Sequence, residues 1–131
     1  MKWSLIAQEE LAGELRQDWI AHSENGSIVV EERCCGPLTF DVYDVEEQLT
    51  RVVIPPRSCD RFAHMLECEK PMLIATIISL MRTESSDICD LMDLLDVMDV
   101  RYLYELPGDD YITLRGNASL LRQTAQTQGT A

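Results

Sequence analysis

The chain has 131 residues, 46% of them hydrophobic, and carries 23 Asp and Glu against 11 Lys and Arg, a formal net charge of −12. That is the size of one ordinary domain, able to bury about two thirds of its unfolded surface without disulfides or metal. Such a charge repels phosphate, disfavouring nucleic acid and anionic membranes, and it attracts a basic protein partner.

Residues 4–21 read as an N-terminal helix, with Ser4 as its cap and Leu11, Leu15 and Trp19 recurring four apart. Trp3 to Ala7 also fits a short strand, and the turn chemistry of "SENGS" (23–27) ends the element. Three strand-like runs follow: "SIVVEERC" (27–34), "LTFDVYD" (38–44) and "LTRVVI" (49–54). The second alternates Leu38, Phe40 and Val42 against Thr39, Asp41 and Tyr43, the period of a half-buried strand. Gly36-Pro37 and "VEEQ" (45–48) separate the runs, which gives a three-stranded antiparallel meander stopped by Pro55-Pro56.

A helical cluster comes next. "SCDRFAHMLEC" takes Ser58 as N-cap and Phe62 and Met65 as inward contacts. Pro71 suits the first turn of "PMLIATIISLMRT", which is apolar nearly all round and so reads as the central, buried helix. Thr83, Ser85 and Ser86 are candidate caps for a third helix over 86–98. "RYLYEL" (101–106), the turn "PGDD" (107–110) and "YITLR" (111–115) make a hairpin with a type II turn. The expected fold is α+β: an N-terminal helix, a meander, three helices and a C-terminal hairpin. Residues 1–116 form the domain and 117–131, with no aromatic or acid, a flexible tail.

The third helix has an aspartate at every third position: Asp87, Asp90, Asp93, Asp96 and Asp99. At about 100° per residue a three-residue step drifts backward by about 60°, so these five cannot form one stripe. With Ile88 at the centre of the core face, Leu91, Met92, Leu95 and Met98 share its arc, and Asp90, Asp93 and Asp96 face away. Asp87 favours the helix dipole in the first turn, and Asp99 would rotate toward the core, so the helix should end near Val97 or Met98. Segment 84–110 holds nine acids and one arginine, a charge of −8. Much of the excess therefore lies there.

Other chemistry is sparse. His64 and Cys68, one helical turn apart, are candidate zinc ligands, with Cys59 rotated too far to be a good third. There is no CxxC pair, no phosphate-cradling loop and no marked nucleophile, so neither a cofactor nor an enzyme is expected. Five irregularly spaced cysteines fit reduced thiols. Met1 to Gln8 makes no secretory signal, and the longest apolar run, Pro71 to Met81, falls short of the roughly 20 residues of a membrane span. A cytoplasmic protein is expected.

In the order of its elements, residues 58–116 resemble a winged-helix module, with 86–98 in the recognition-helix position and 101–115 as the wing. The resemblance implies a transcriptional or nucleic-acid-linked regulator, with dimerisation one way to assemble it. Its recognition helix would present Asp90, Asp93 and Asp96 to DNA, which repels them. The leading expectation is a non-catalytic inhibitor, adaptor or small chaperone that binds a basic partner through the 87–110 region. Asp90, Asp93, Asp96, Asp109 and Asp110 would supply the charge, with Tyr102 and Tyr104 on one face of the hairpin.

Overall fold

Residues 4–22 form a hairpin rather than the expected helix: β1 (Ser4–Leu11) runs antiparallel to β2 (Glu14–His22). In this computed structural model residues 1–106 and the backbone of 112–116 are described. Ala12 and Gly13, at φ 53° and 82°, join Leu11 to its partner Glu14 as a two-residue turn. Positive φ at both positions is the type I′ geometry that matches the twist of paired strands. A spacing of four also explains the misleading signal. Four is a multiple of two, so Leu15 and Trp19 lie on one face of a strand as readily as on one face of a helix.

β3 (Ile28–Cys35) pairs with β2 and, on its other side, with β4 (Glu47–Ile54), Val30 opposite Val52. The expected middle strand over 38–44 is instead α1 (Pro37–Tyr43). Then follow α2 (Pro56–Met65), a 3-10 turn (Lys70–Met72), α3 (Leu73–Thr83), α4 (Ile88–Val97), β5 (Tyr102–Leu106) and β6 (Ile112–Gly116). The strands make one antiparallel sheet in chain order, β1-β2-β3-β4-β5-β6. The class is α+β, but the sheet is a meander of six strands that also takes in the expected wing. The element order of residues 56–116, helices then a hairpin, is as expected, but Val52 pairs with Tyr104 and Val53 with Leu103, so β5 continues the main sheet beside β4 rather than forming a separate wing. The expected turn 107–110, Tyr111 and the tail 117–131 lie outside the described residues.

Strand alternation builds the core. Ile20, Ile28, Val30, Val52, Ile54 and Tyr102 join Phe62, Leu73, Ile77, Met81, Ile88, Leu91 and Leu95 in one buried cluster. Each such side chain contributes roughly 1.5–3 kcal/mol by leaving water. α3 and α4 lie on the sheet, α3 against β1 and β2, α4 against β3 and β4. α3 is not enclosed all round: Leu73, Ile77 and Met81 are buried, whereas Ala75 and Ser79 are exposed. α2 begins two residues before Ser58, with Pro55 as N-cap and Pro56 at its first position, and Met65 is exposed. α4 has the expected core face, Ile88, Leu91, Met92 and Leu95, and ends at Val97.

The opposite face of the sheet carries an ion-pair ladder. Glu31 is buried, 2.8 Å from Arg33 Nε and 2.6 Å from Arg51, and Arg51 reaches Glu105 at 4.0 Å. Two guanidinium groups on one carboxylate make that burial tolerable.

Candidate functional site

On the helix side of the sheet the apolar residues give way to polar ones toward the β1–β2 turn. Strand alternation puts Asp18 and Arg16 on the same face as Ile20, and Glu32 and Cys34 on the same face as Val30. α1 packs over this end of the sheet, against β2, β3 and β4. Glu14, the first residue of β2, fixes it there: its Oε2 accepts from Leu38 N at 3.0 Å and Thr39 N at 3.4 Å, and its Oε1 from the Thr39 hydroxyl. These open N–H groups of the first helical turn need such an acceptor. Gly36 enters the helix at φ 136°, where a Cβ would stand 2.6 Å from Gly13 O, so the approach of the hairpin tip requires glycine.

With Thr39 turned inward to Glu14, the rest of α1 faces out. Leu38 and Val42 are each 62% exposed, Phe40 and Tyr43 more than half, and Leu11 at the hairpin tip 74%. Leu11, Pro37, Leu38, Val42 and Tyr43 line a groove of about 680 Å³ with Glu9, Glu14, Arg16 and Asp41. A grouped exposed apolar surface with a polar border marks an interaction site.

The charge around it is negative. Arg16 is taken by Glu9 at 3.2 Å, Asp18 at 3.7 Å and Asp87 at 3.9 Å. Asp41, Asp44, Glu46 and Glu47, running from α1 to the first residue of β4, are exposed and make no ion pair among the described residues. Beneath the groove Asp18 is fully buried, and neither of its carboxylate oxygens has a hydrogen-bond donor among the described residues. Burial foremost, then the hydrogen bond and charge of Glu32, push its pKa up to about 8, with Asp87 adding to the rise and Arg16 opposing it. Near neutral pH Asp18 keeps its proton and can donate it to Glu32. Glu32 in turn accepts from Ile88 N at 3.2 Å, joining the cluster to the start of α4. Burial foremost, then the charges of Glu32, Asp18 and Glu14, raise the Cys34 thiol to about 11 against the opposing Arg16, so it stays protonated and a poor nucleophile.

The residues expected from the sequence are spread over several environments. Asp90 is exposed and forms a reciprocal capping box with Asp87: Asp90 N donates to Asp87 at 2.9 Å, and Asp87 N to Asp90 at 3.0 Å. Thr83, Ser85 and Ser86 are therefore not the caps of α4. Asp90 and Glu84 also edge a second cleft, of about 490 Å³, between α3 and α4. Asp93 is exposed, while Asp96 accepts from the Tyr102 hydroxyl at 3.1 Å. Tyr102 is buried and Tyr104 half-buried against the core, so these tyrosines help close it. Asp109 and Asp110 lie outside the described residues. His64 is exposed and Cys68 half-buried, and no group of three or more His, Cys, Asp or Glu is placed to hold a metal among the described residues. No described helix is long and apolar enough to cross a membrane.

Leu38 and Val42 were legible only as the inner face of a strand and Leu11 only as one face of a helix, because the exposure of the first two depends on α1 being a helix and that of Leu11 on the β1–β2 hairpin. The sequence matches no family model, no curated protein and no solved structure.

Proposed function

We propose that the protein is a non-catalytic interaction module that captures a basic, amphipathic segment of a partner protein. Its apolar residues would dock in the groove of α1 and the β1–β2 turn. The observation carrying this reading is the exposed row Leu11, Leu38 and Val42, bordered by the three carboxylates Glu9, Glu14 and Asp41 against one cation, Arg16. Apolar contact supplies the affinity, and the acidic border selects lysine and arginine and speeds encounter. A second copy of the chain fits less well, since it would set Glu9, Glu14 and Asp41 against the same acids. The exposed Asp90 and Asp93 on α4 extend the negative field beyond the groove.

Fluorescence anisotropy with a labelled synthetic amphipathic peptide tests the proposal, one version carrying lysine and arginine on its polar face and the other glutamate. The basic peptide should bind, and Leu38→Glu with Val42→Glu should weaken it by about tenfold or more. Both positions are exposed, so the fold should survive the change. Equal affinity for the two peptides, or indifference to the double variant, would overturn the reading. Concentration-dependent sedimentation that the double variant abolishes would point instead to self-association.

A further inference from the structure

Most described cations are already committed: Arg33 and Arg51 to Glu31, Lys70 to Asp60, Arg82 to the carbonyl oxygens of Leu5 and Ile6. Arg57 and Arg101 are not. Both are exposed, neither makes an ion pair or hydrogen bond among the described residues, and they line one cavity of about 310 Å³ with Ser58, Arg61 and Asp99. The two arginines come from distant points in the chain, Arg57 from α2 and Arg101 from the residues between α4 and β5. Arg61 is held between them in the sequence and fixed in space: its guanidinium donates to Asp99 O at 2.9 Å and Met98 O at 3.3 Å, with the Asp99 carboxylate 3.8 Å away.

We propose that this cavity binds a small dianion of the phosphate class, either inorganic phosphate or a phosphate monoester. Three guanidinium groups and one carboxylate leave the lining at +2, and a phosphate monoester carries roughly −1.5 to −2 near neutrality. Guanidinium forks match phosphate oxygens in pairs, and the Ser58 hydroxyl adds a donor at the same wall. Three guanidinium groups against the single carboxylate of Asp99 leave a repulsion that a bound anion relieves. The cavity stands at the lower bound of ligand sites, about 300 Å³, which suits a small molecule. A nucleic acid is a different case. Its further phosphates would extend over a surface whose charge totals −12, and that surface repels them.

Amide chemical shifts of the isotope-labelled protein, followed during titration, provide the test. The probes are inorganic phosphate, glycerol 3-phosphate and sodium acetate, at matched ionic strength. Phosphate-class probes should move the Arg57, Ser58 and Arg101 amides to saturation. Arg57→Gln with Arg101→Gln should weaken binding by about tenfold or more, and Lys2→Gln should leave it unchanged. An Arg57→Lys, Arg101→Lys pair keeps the charge and loses the forks, so its affinity should fall between the two. Tighter binding of glycerol 3-phosphate assigns the site to an ester, and equal or weaker binding assigns it to the free ion. Linear shifts without saturation, acetate binding as tightly as phosphate, or a glutamine double variant that titrates like the parent would overturn the proposal.

Discussion

Asp18 is the residue whose chemistry departs furthest from its ordinary state. An aspartate enclosed in protein with no hydrogen-bond donor keeps its proton, because the ionised form loses its water and gains the repulsion of Glu32 and Asp87. In the unfolded chain the same carboxyl ionises near 3.8, whereas in the fold it holds its proton to about 8. Between those values the folded state binds the extra proton. This group's contribution is therefore complete below about pH 4, falls as pH rises, and is gone once pH has passed about 8. Asp18→Asn removes the ionisation and leaves an amide able to donate to Glu32. The variant should match the parent at pH 4 and exceed it by roughly 2 kcal/mol or more at pH 9, since each unit of displacement corresponds to about 1.4 kcal/mol. Urea unfolding of both proteins from pH 4 to 9 measures the difference, from which the titration of shared groups cancels. Parallel pH profiles would show that Asp18 is ionised at neutral pH in the fold.

At the scale of elements, α1 turns on one carboxylate 24 residues upstream, which supplies the acceptors for Leu38 and Thr39. Glu14→Ala should cost about 1–2 kcal/mol, the usual loss for a helix cap. Hydrogen exchange should then accelerate at Phe40 and Asp44, which donate to the carbonyls of Gly36 and Phe40, while Val30 and Val52 stay protected in the sheet. Uniform acceleration across the domain would mean that α1 is not a separable cap-dependent unit. The same contact explains why the sequence misled here. Leu38, Phe40 and Val42 alternate as a strand would, and nothing local shows that a distant glutamate converts them to a helix with its apolar side outward. β3 and β4 were legible because a run of β-branched residues carries its preference within itself. The α4 core face was legible too, since Ile88, Leu91, Met92 and Leu95 keep helical spacing. The hairpin of β1 and β2 was hidden by a spacing of four that serves both periods, although Ala12-Gly13 offered a turn signal. As for the site, its acidic character could be read from composition, but its apolar floor could not.

For the molecule as a whole, a net charge of −12 acts on folding and on docking with opposite signs. Folding gathers the carboxylates into a small volume, so their repulsion opposes the compact state. Added salt shortens the screening length from about 10 Å at 0.1 M to about 3 Å at 1 M and relieves that repulsion. The ion pairs lost in exchange are minor: exposed pairs such as Lys70–Asp60 contribute little, and the buried Glu31 cluster is screened less. The midpoint of thermal unfolding should therefore rise by a few degrees between 10 mM and 500 mM sodium chloride. Affinity for the basic amphipathic peptide should fall over the same range, because there the charges attract. Leu38→Ser with Val42→Ser, which adds no charge, should lower affinity at every salt concentration while leaving the salt response of the melting midpoint unchanged, since the apolar contact and the field are separate contributions. Calorimetric melting and peptide anisotropy on the same samples measure both. A midpoint that falls with salt would mean that internal ion pairs outweigh the excess charge, and an affinity indifferent to salt would remove the acidic border from the recognition surface.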